Sequence, residues 1–258
     1  MTNVKTANVL FMDGRYGEAV KMYFDGAGDG DAECAHNYAY CLLYGIGTER
    51  DPAKAKSYFV FASGRVPEAS YNLAVMYLHG IGVKKNYAKS FEYMHSAARG
   101  GVIEAEAYLG MAHTLGTLFE PEVVCISLIP FHTPIKREEQ FLLEGDADFD
   151  EEDDEARCSA VRLDHHSALG WFAAAARHSS DYVEEFSAKS KYLYARCFLD
   201  GIGTDFNLKR GNELMLLAAK AGSDEAVYYI RTDAPYMIPS IDDPVLIEKI
   251  KKQESLGE

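Results

Sequence analysis

The chain has 258 residues and a mass of 28.6 kDa, room for one or two domains, and its 48% hydrophobic and 26% charged residues exclude disordered, collagenous and coiled-coil classes. The 26 Lys and Arg against 40 Asp and Glu leave a formal net charge of -14, which repels nucleic acid and anionic membranes and favours a basic partner. No apolar run approaches the roughly 20 residues of a membrane span, and the opening MTNVKTANVLFMDGRYGE lacks a signal-peptide core, so a soluble, cytoplasmic chain is expected.

Val4 to Met12 reads as a short helix covering one end of whatever follows, and GRYGEAVKMYFDGAGDGDAECA at 14 to 35 as a weak first copy of a repeat. The repeat is clearest downstream. LLYGIGTERD at 42 to 51, YLHGIGVKKN at 77 to 86 and FLDGIGTDFN at 198 to 207 each close a run rich in Tyr and Ala, and LGMAHTLGTL keeps one glycine of the pair. Gly45 and Gly80 lie 35 residues apart and Gly116 lies 36 further on, a period that suits a helix hairpin.

Before each glycine the apolar spacing is helical: Leu73, Ala74 and Tyr77 share a phase with Tyr38, Ala39 and Leu42 and with Tyr194, Ala195 and Phe198. A second helix is predicted to begin about ten residues after the glycine. There Ala55, Tyr58, Phe59 and Ala62 match Ser90, Tyr93, Met94 and Ala97, and again Gly211, Leu214, Met215 and Ala218. The glycine stands where the first helix must turn, since it takes positive φ without steric cost, and Asp51-Pro52 supplies an N-cap and first-turn proline for the next helix.

The string ASYNLAVMYLHGIGVKKNYAKSFEYMHSAARGG, within 69 to 105, closely resembles the Sel1-like repeat, a helix hairpin related to the tetratricopeptide repeat. Good copies cover 32–66, 67–102 and 188–222, and weaker ones 14–35, a copy split between 103–118 and 166–181, and a terminal half at 223–231. The resemblance implies an all-α, right-handed α-solenoid whose first helices line a concave face that binds other proteins, with no general enzymatic activity. Secreted, cysteine-rich members of the family staple each hairpin with a disulfide. Here Cys34 falls on the small-residue position but the position seven earlier is Ala27, so the chain departs from that subgroup.

In the split copy Gly116 precedes Ala168 by 52 residues where Gly80 precedes Ser90 by ten, so 42 residues are inserted. The domain reading is therefore repeats over 1–118, an irregular insertion over 119–165, repeats over 166–231 and a C-terminal cap over 232–258. The insertion's first half, PEVVCISLIPFHTPIKREEQFLLEG, is apolar enough to pack. Its second half carries Glu144, Asp146, Asp148, Asp150, Glu151, Glu152, Asp153, Asp154 and Glu155 with no cation, nine of the fourteen net negative charges, and should be solvated. After Asp243-Pro244, VLIEKIKKQE reads as a capping helix with Val245, Leu246 and Ile250 on one side, covering the open end of the stack.

Candidate chemistry is thin. Asp146, Asp148 and Asp150 match the opening of an EF-hand loop, but its sixth position is Glu151 rather than Gly and its twelfth is Arg157 rather than Glu. Cys158, His165 and His166 lack a fourth zinc ligand, GAGDGD at 26 to 31 follows a helical pattern rather than a strand, and no nucleophile signature surrounds Cys34, Cys41, Cys125, Cys158 or Cys197. No catalytic residue, metal or cofactor is expected, with a Cys/His metal protein or hydrolase the minor alternative. What remains is a stripe beside the core phase of the first helices. It offers His36, Tyr40, Tyr44, Tyr71, His79, Met111, Tyr192 and Arg196, types enriched at binding hot spots. The reading is a non-catalytic module gripping a protein or peptide along that stripe, or an inhibitor or immunity-type protein holding a basic partner through its acidic insertion.

Overall fold

The computed structural model describes residues 4–116, 118, 161–178, 184–235 and 244–248. The chain divides into two compact units, residues 1–105 with 117–162 and residues 106–116 with 163–258. Among the described residues there is no strand. In order come α1 (Val4–Met12), α2 (Tyr16–Gly28), α3 (Ala32–Tyr44), α4 (Pro52–Ala62), α5 (Pro67–His79), α6 (Tyr87–Arg99), α7 (Ile103–Leu115), α8 (His165–Arg177), α9 (Glu184–Asp200), α10 (Leu208–Lys220) and α11 (Asp224–Thr232). The fold is an all-α solenoid of antiparallel helix hairpins, in which α1 to α6 pack successively on one another and α8 to α11 do the same.

In the first unit the hairpins are α1/α2, α3/α4 and α5/α6, and one apolar core runs through them from Ala7 and Phe11 to Met76 and Ile81. The second unit pairs α9 with α10 and closes with α11. Its core comprises Ala168, Phe172 and Cys197 at one place and Met215, Ala218, Val227 and Ile230 at another. The same positions are buried in every repeat. Eight residues into the second helix, Phe59, Met94, Phe172 and Met215 are 0, 1, 3 and 0% exposed, and Ala62, Ala97, Ala175 and Ala218 one turn on are all at 0%. An alanine there brings the helix axes together, while the larger residue fills the space between hairpins.

Each second helix is started by a short polar side chain at one register. Asp51, Asn86, Asp164 and Asn207 accept from the backbone N–H of Lys54, Lys89, Ser167 and Arg210 at 2.9 to 3.1 Å. Such a cap contributes about 1 kcal/mol. The backbone N–H of the same four residues donates back to the first helix, Asp51 to Leu42, Asn86 to Tyr77, Asp164 to His113 and Asn207 to Phe198, at 2.8 to 3.0 Å. The hairpin loop is thus tied at its base by the residue that caps its second helix.

The two glycines of the signature do different work. The first ends the first helix in the left-handed region, as at Gly80, φ +76°. The second, which the sequence reading left as part of the turn, is a contact point. A Cβ on Gly82 would lie 2.5 Å from Pro52 Cβ and 2.8 Å from Pro52 C, at the start of the preceding repeat's second helix. Gly47 stands likewise against Tyr16 and Gly203 against His165.

The end cover differs in phase from its expectation. Residues 244–248 are helical, but Leu246 is buried and Ile247 packs on the second unit's core, while Val245 is 64% exposed; Ile250 lies outside the described residues. Leu246 thus faces inward as expected, and its neighbour on that side is Ile247 rather than Val245.

Candidate functional site

The first-helix stripe is far more closed in the first unit than its periodicity indicated. Residues Cys34 through Leu43 of α3 are all buried, and so are Asn72 through Leu78 of α5. The reason is packing on every side: α3 is flanked by α2 and α4 along the stack, with α1 against its remaining face through Phe11 and Tyr40, whose rings meet edge-on at 6.3 Å.

The eight stripe residues therefore fall into two sorts. His36 is 0% exposed, its ring edge-on to Phe59 at 5.5 Å, and Tyr40 is 6% exposed, so both form a floor rather than a surface. Tyr44, Tyr71 and His79 are half-buried and reach the surface. Tyr40, Tyr44 and Tyr71 converge. The Tyr40 and Tyr44 rings lie 4.9 Å apart, and burial, with Tyr40 and Tyr71 as neighbours, pushes the Tyr44 phenol far above its ordinary value. The Tyr44 hydroxyl therefore stays protonated.

In the second unit the stripe is polar and internally paired. Arg196 donates from Nε to Asp200 at 2.7 Å and from Nη1 to the Tyr192 hydroxyl at 3.1 Å, so a tyrosine, an arginine and an aspartate form a ladder along α9. The Asp200 carboxylate, then the Tyr192 hydroxyl, hold the guanidinium charged. Met111 is half-buried and packs toward Ala168, Phe172 and Cys197.

The acidic run Asp146, Asp148, Asp150, Glu151, Glu152, Asp153, Asp154 and Glu155 lies outside the described residues, as do Cys125 and Cys158. His165 and His166 are exposed at the first turn of α8, where Asp164 accepts from the His166 backbone. Cys34, Cys41 and Cys197 are free and buried, and burial pushes each thiol up to about 12, which leaves almost no thiolate at neutral pH. Among the described residues no His, Cys, Asp and Glu side chains gather into a group that could hold a metal ion, and no helix is long and apolar enough to cross a membrane.

The sequence matches the Sel1 repeat family model over residues 32–63, 67–102, 159–180 and 188–223. The third stretch holds α8 alone, because the insertion separates it from α7. No curated protein matches. Among solved structures the chain is similar to a Sel1 repeat protein from Oxalobacter formigenes, with a TM-score of 0.66 and 16% identity over 89% of this chain and 74% of that one. It is also similar to a protective antigen present in uropathogenic Escherichia coli strains that displays an SLR fold, with a TM-score of 0.65 and 17% identity over 95% of this chain. This chain spans 44% of that antigen's length. At such identities the likeness concerns the fold.

Proposed function

The chain belongs to the Sel1-like repeat proteins, and from that premise we propose that it is a non-catalytic module holding a protein or peptide partner on its first helices. Repeats of this family serve protein–protein interaction. The observation that carries the finer reading is the tyrosine cluster: in a layer whose middle is sealed from solvent, Tyr44 and Tyr71 come to the surface over the buried Tyr40. Aromatic rings with protonated hydroxyls, backed by a rigid floor, bind by burying apolar area and donating hydrogen bonds at low entropic cost.

His79 at the end of α5 supports the same surface in the first unit, and the Tyr192–Arg196–Asp200 ladder offers a separate polar surface in the second. His36 and Tyr40 form the buried floor of the first unit's layer, and Met111 packs on Ala168, Phe172 and Cys197 of the second. The acidic run at 144–155 adds electrostatic attraction toward a basic partner, with a cytoplasmic setting the natural one for five cysteines in no metal or disulfide pattern.

The test compares binding with stability. A partner recovered by affinity capture is titrated against Tyr71→Ala and Tyr44→Phe, with melting followed in parallel. The expected result is a loss of roughly 10-fold or more in affinity for Tyr71→Ala with a small change in Tm. Unchanged affinity with a lowered Tm assigns the ring to the core and removes the reading. Retention of binding in high salt and after removal of 144–155 would dismiss the charge contribution alone.

A further inference from the structure

In the second unit lies a cavity of about 310 Å³ between α8, α9 and α10. Its walls include Leu214 and Leu217 of α10 and Tyr194 of α9, and three cations stand around them: Arg177 at the end of α8, Lys191 of α9 and Arg210 of α10. That grouping is unexpected in a chain of net charge -14. It does not include the first-helix stripe, and it uses none of the residues assigned there.

The cations are differently placed. Lys191 is half-buried, its Nζ donating to the His178 carbonyl at 3.3 Å, and burial lowers its hold on the proton, a direction that an arriving anion reverses. Arg177 and Arg210 are exposed, and Arg210 pairs with the equally exposed Glu213 at 3.3 Å, a contact too solvated to compete strongly with a buried anion. Glu106 is near enough to Arg177 to interact with it electrostatically, but its carboxylate is committed to His178 at 3.2 Å. Leu214 is buried and Leu217 is 53% exposed.

The geometry points to a binding site for a carboxylate carried on a compact apolar body, either a small organic acid or the terminal residue of a peptide. Two guanidinium forks and an ammonium supply charge-assisted hydrogen bonds to the carboxylate. The leucines and the Tyr194 ring take the apolar part. The volume, at the small end of ligand sites, admits one branched or aromatic side chain with its acid group and little more. A bare, strongly hydrated anion would lose water against the leucines without compensation, so inorganic phosphate should be a poor ligand.

The experiment titrates the full chain with N-acetyl-L-leucine, its neutral amide, inorganic phosphate, and a short peptide ending in leucine with a free carboxylate, read by calorimetry and by amide shifts of Ala173, Ala176, Leu214 and Leu217. Saturable binding of the acid or the peptide is expected with shifts at those residues. The amide and phosphate should bind at least about 10-fold more weakly, and the doubly substituted Arg177→Gln/Arg210→Gln chain should lose a similar factor. Both arginines are exposed, so this variant should fold, which its Tm checks. Tighter binding of the peptide identifies the source as a protein terminus, and equal or tighter binding of the free acid identifies a small molecule. Equal binding of acid and amide, equal binding of phosphate, shifts elsewhere, no saturation by about 10 mM, or indifference to the double substitution would each overturn the assignment.

Discussion

The backbone N–H of Asp164 donates to the carbonyl of His113 at 3.0 Å across 51 residues of chain, the same bond that Asn86 makes to Tyr77 across nine. The inserted segment thus leaves from and returns to a hairpin base with unaltered register. Leu118 and Val161, on either side of residues 119–160, are 2 and 5% exposed. Joining them restores the six-residue step from Gly116 to the capping Asp164 that Gly80 and Asn86 show.

Deleting 119–160 should therefore leave a folded, cooperatively melting chain. Closing a loop about eight times shorter favours it by roughly 1–2 kcal/mol of chain entropy. In the deletion, residue 118 takes the place of Gly82, so deletion with Leu118→Gly should melt higher than deletion alone. A circular-dichroism spectrum that loses helix on deletion, or the reverse ranking of the two Tm values, would show that the insertion is needed to hold α7 and α8.

The two roles of glycine separate in a second comparison. Gly30 and Gly82 both have positive φ, +88° and +63°, but a Cβ on Gly30 meets nothing within 4 Å whereas one on Gly82 runs into Pro52. Gly30→Ala should cost only the left-handed backbone, about 1–2 kcal/mol. Gly82→Ala should cost about 3–5 kcal/mol, because the contact is with backbone and a proline ring that cannot swing away. Urea midpoints measure both. Equal losses would mean that the repeats have room to slide apart.

These comparisons also mark what could be read from residues alone. The hairpin period, the helix phases, the capping Asp51 and the size of the insertion were all legible, because they rest on spacing and on local backbone preferences. The second glycine's contact was not, since it depends on where the preceding repeat's second helix begins. Nor was the burial of His36, Tyr40, Val75 and Leu78: one helix's periodicity separates its core side from the rest, but how many neighbours cover the rest is decided by packing. The cationic cavity drew no signal because Arg177, Lys191 and Arg210 come from three helices with no shared motif.

A third prediction concerns a polar residue that the repeat has left stranded. Asn37 donates to the Asn8 carbonyl oxygen at 3.0 Å, and Tyr23 donates to the same oxygen at 2.7 Å. One repeat on, Asn72 is 1% exposed with neither amide atom hydrogen-bonded, and the residue 35 after Asn8 is Leu43. The partner has become apolar while the amide stayed. Asn72→Leu should stabilise the chain by about 1–2 kcal/mol, a rise of several degrees in Tm, and Asn37→Leu should destabilise it by stripping Asn8 of a donor. A lowered Tm for Asn72→Leu would reveal an unrecognised acceptor beside it.

The last prediction rests on Glu106, 5% exposed on α7, with His178 at 3.2 Å. Burial raises its affinity for a proton above the ordinary glutamate value, more than His178 and Arg177 lower it. A carboxyl raised in the folded state contributes stability that is complete below its unfolded value and is lost as pH rises through the folded one. The native chain should therefore lose this contribution as pH rises above the ordinary glutamate value. Glu106→Gln keeps the shape and never ionises, so it should match the native chain near about pH 4 and exceed it increasingly as pH rises and the buried native carboxyl has to ionise. Denaturant midpoints measured as pH rises decide it. A Gln variant less stable than the native chain at neutral pH would mean that the His178 pair outweighs desolvation, and the direction assigned to Glu106 would be wrong.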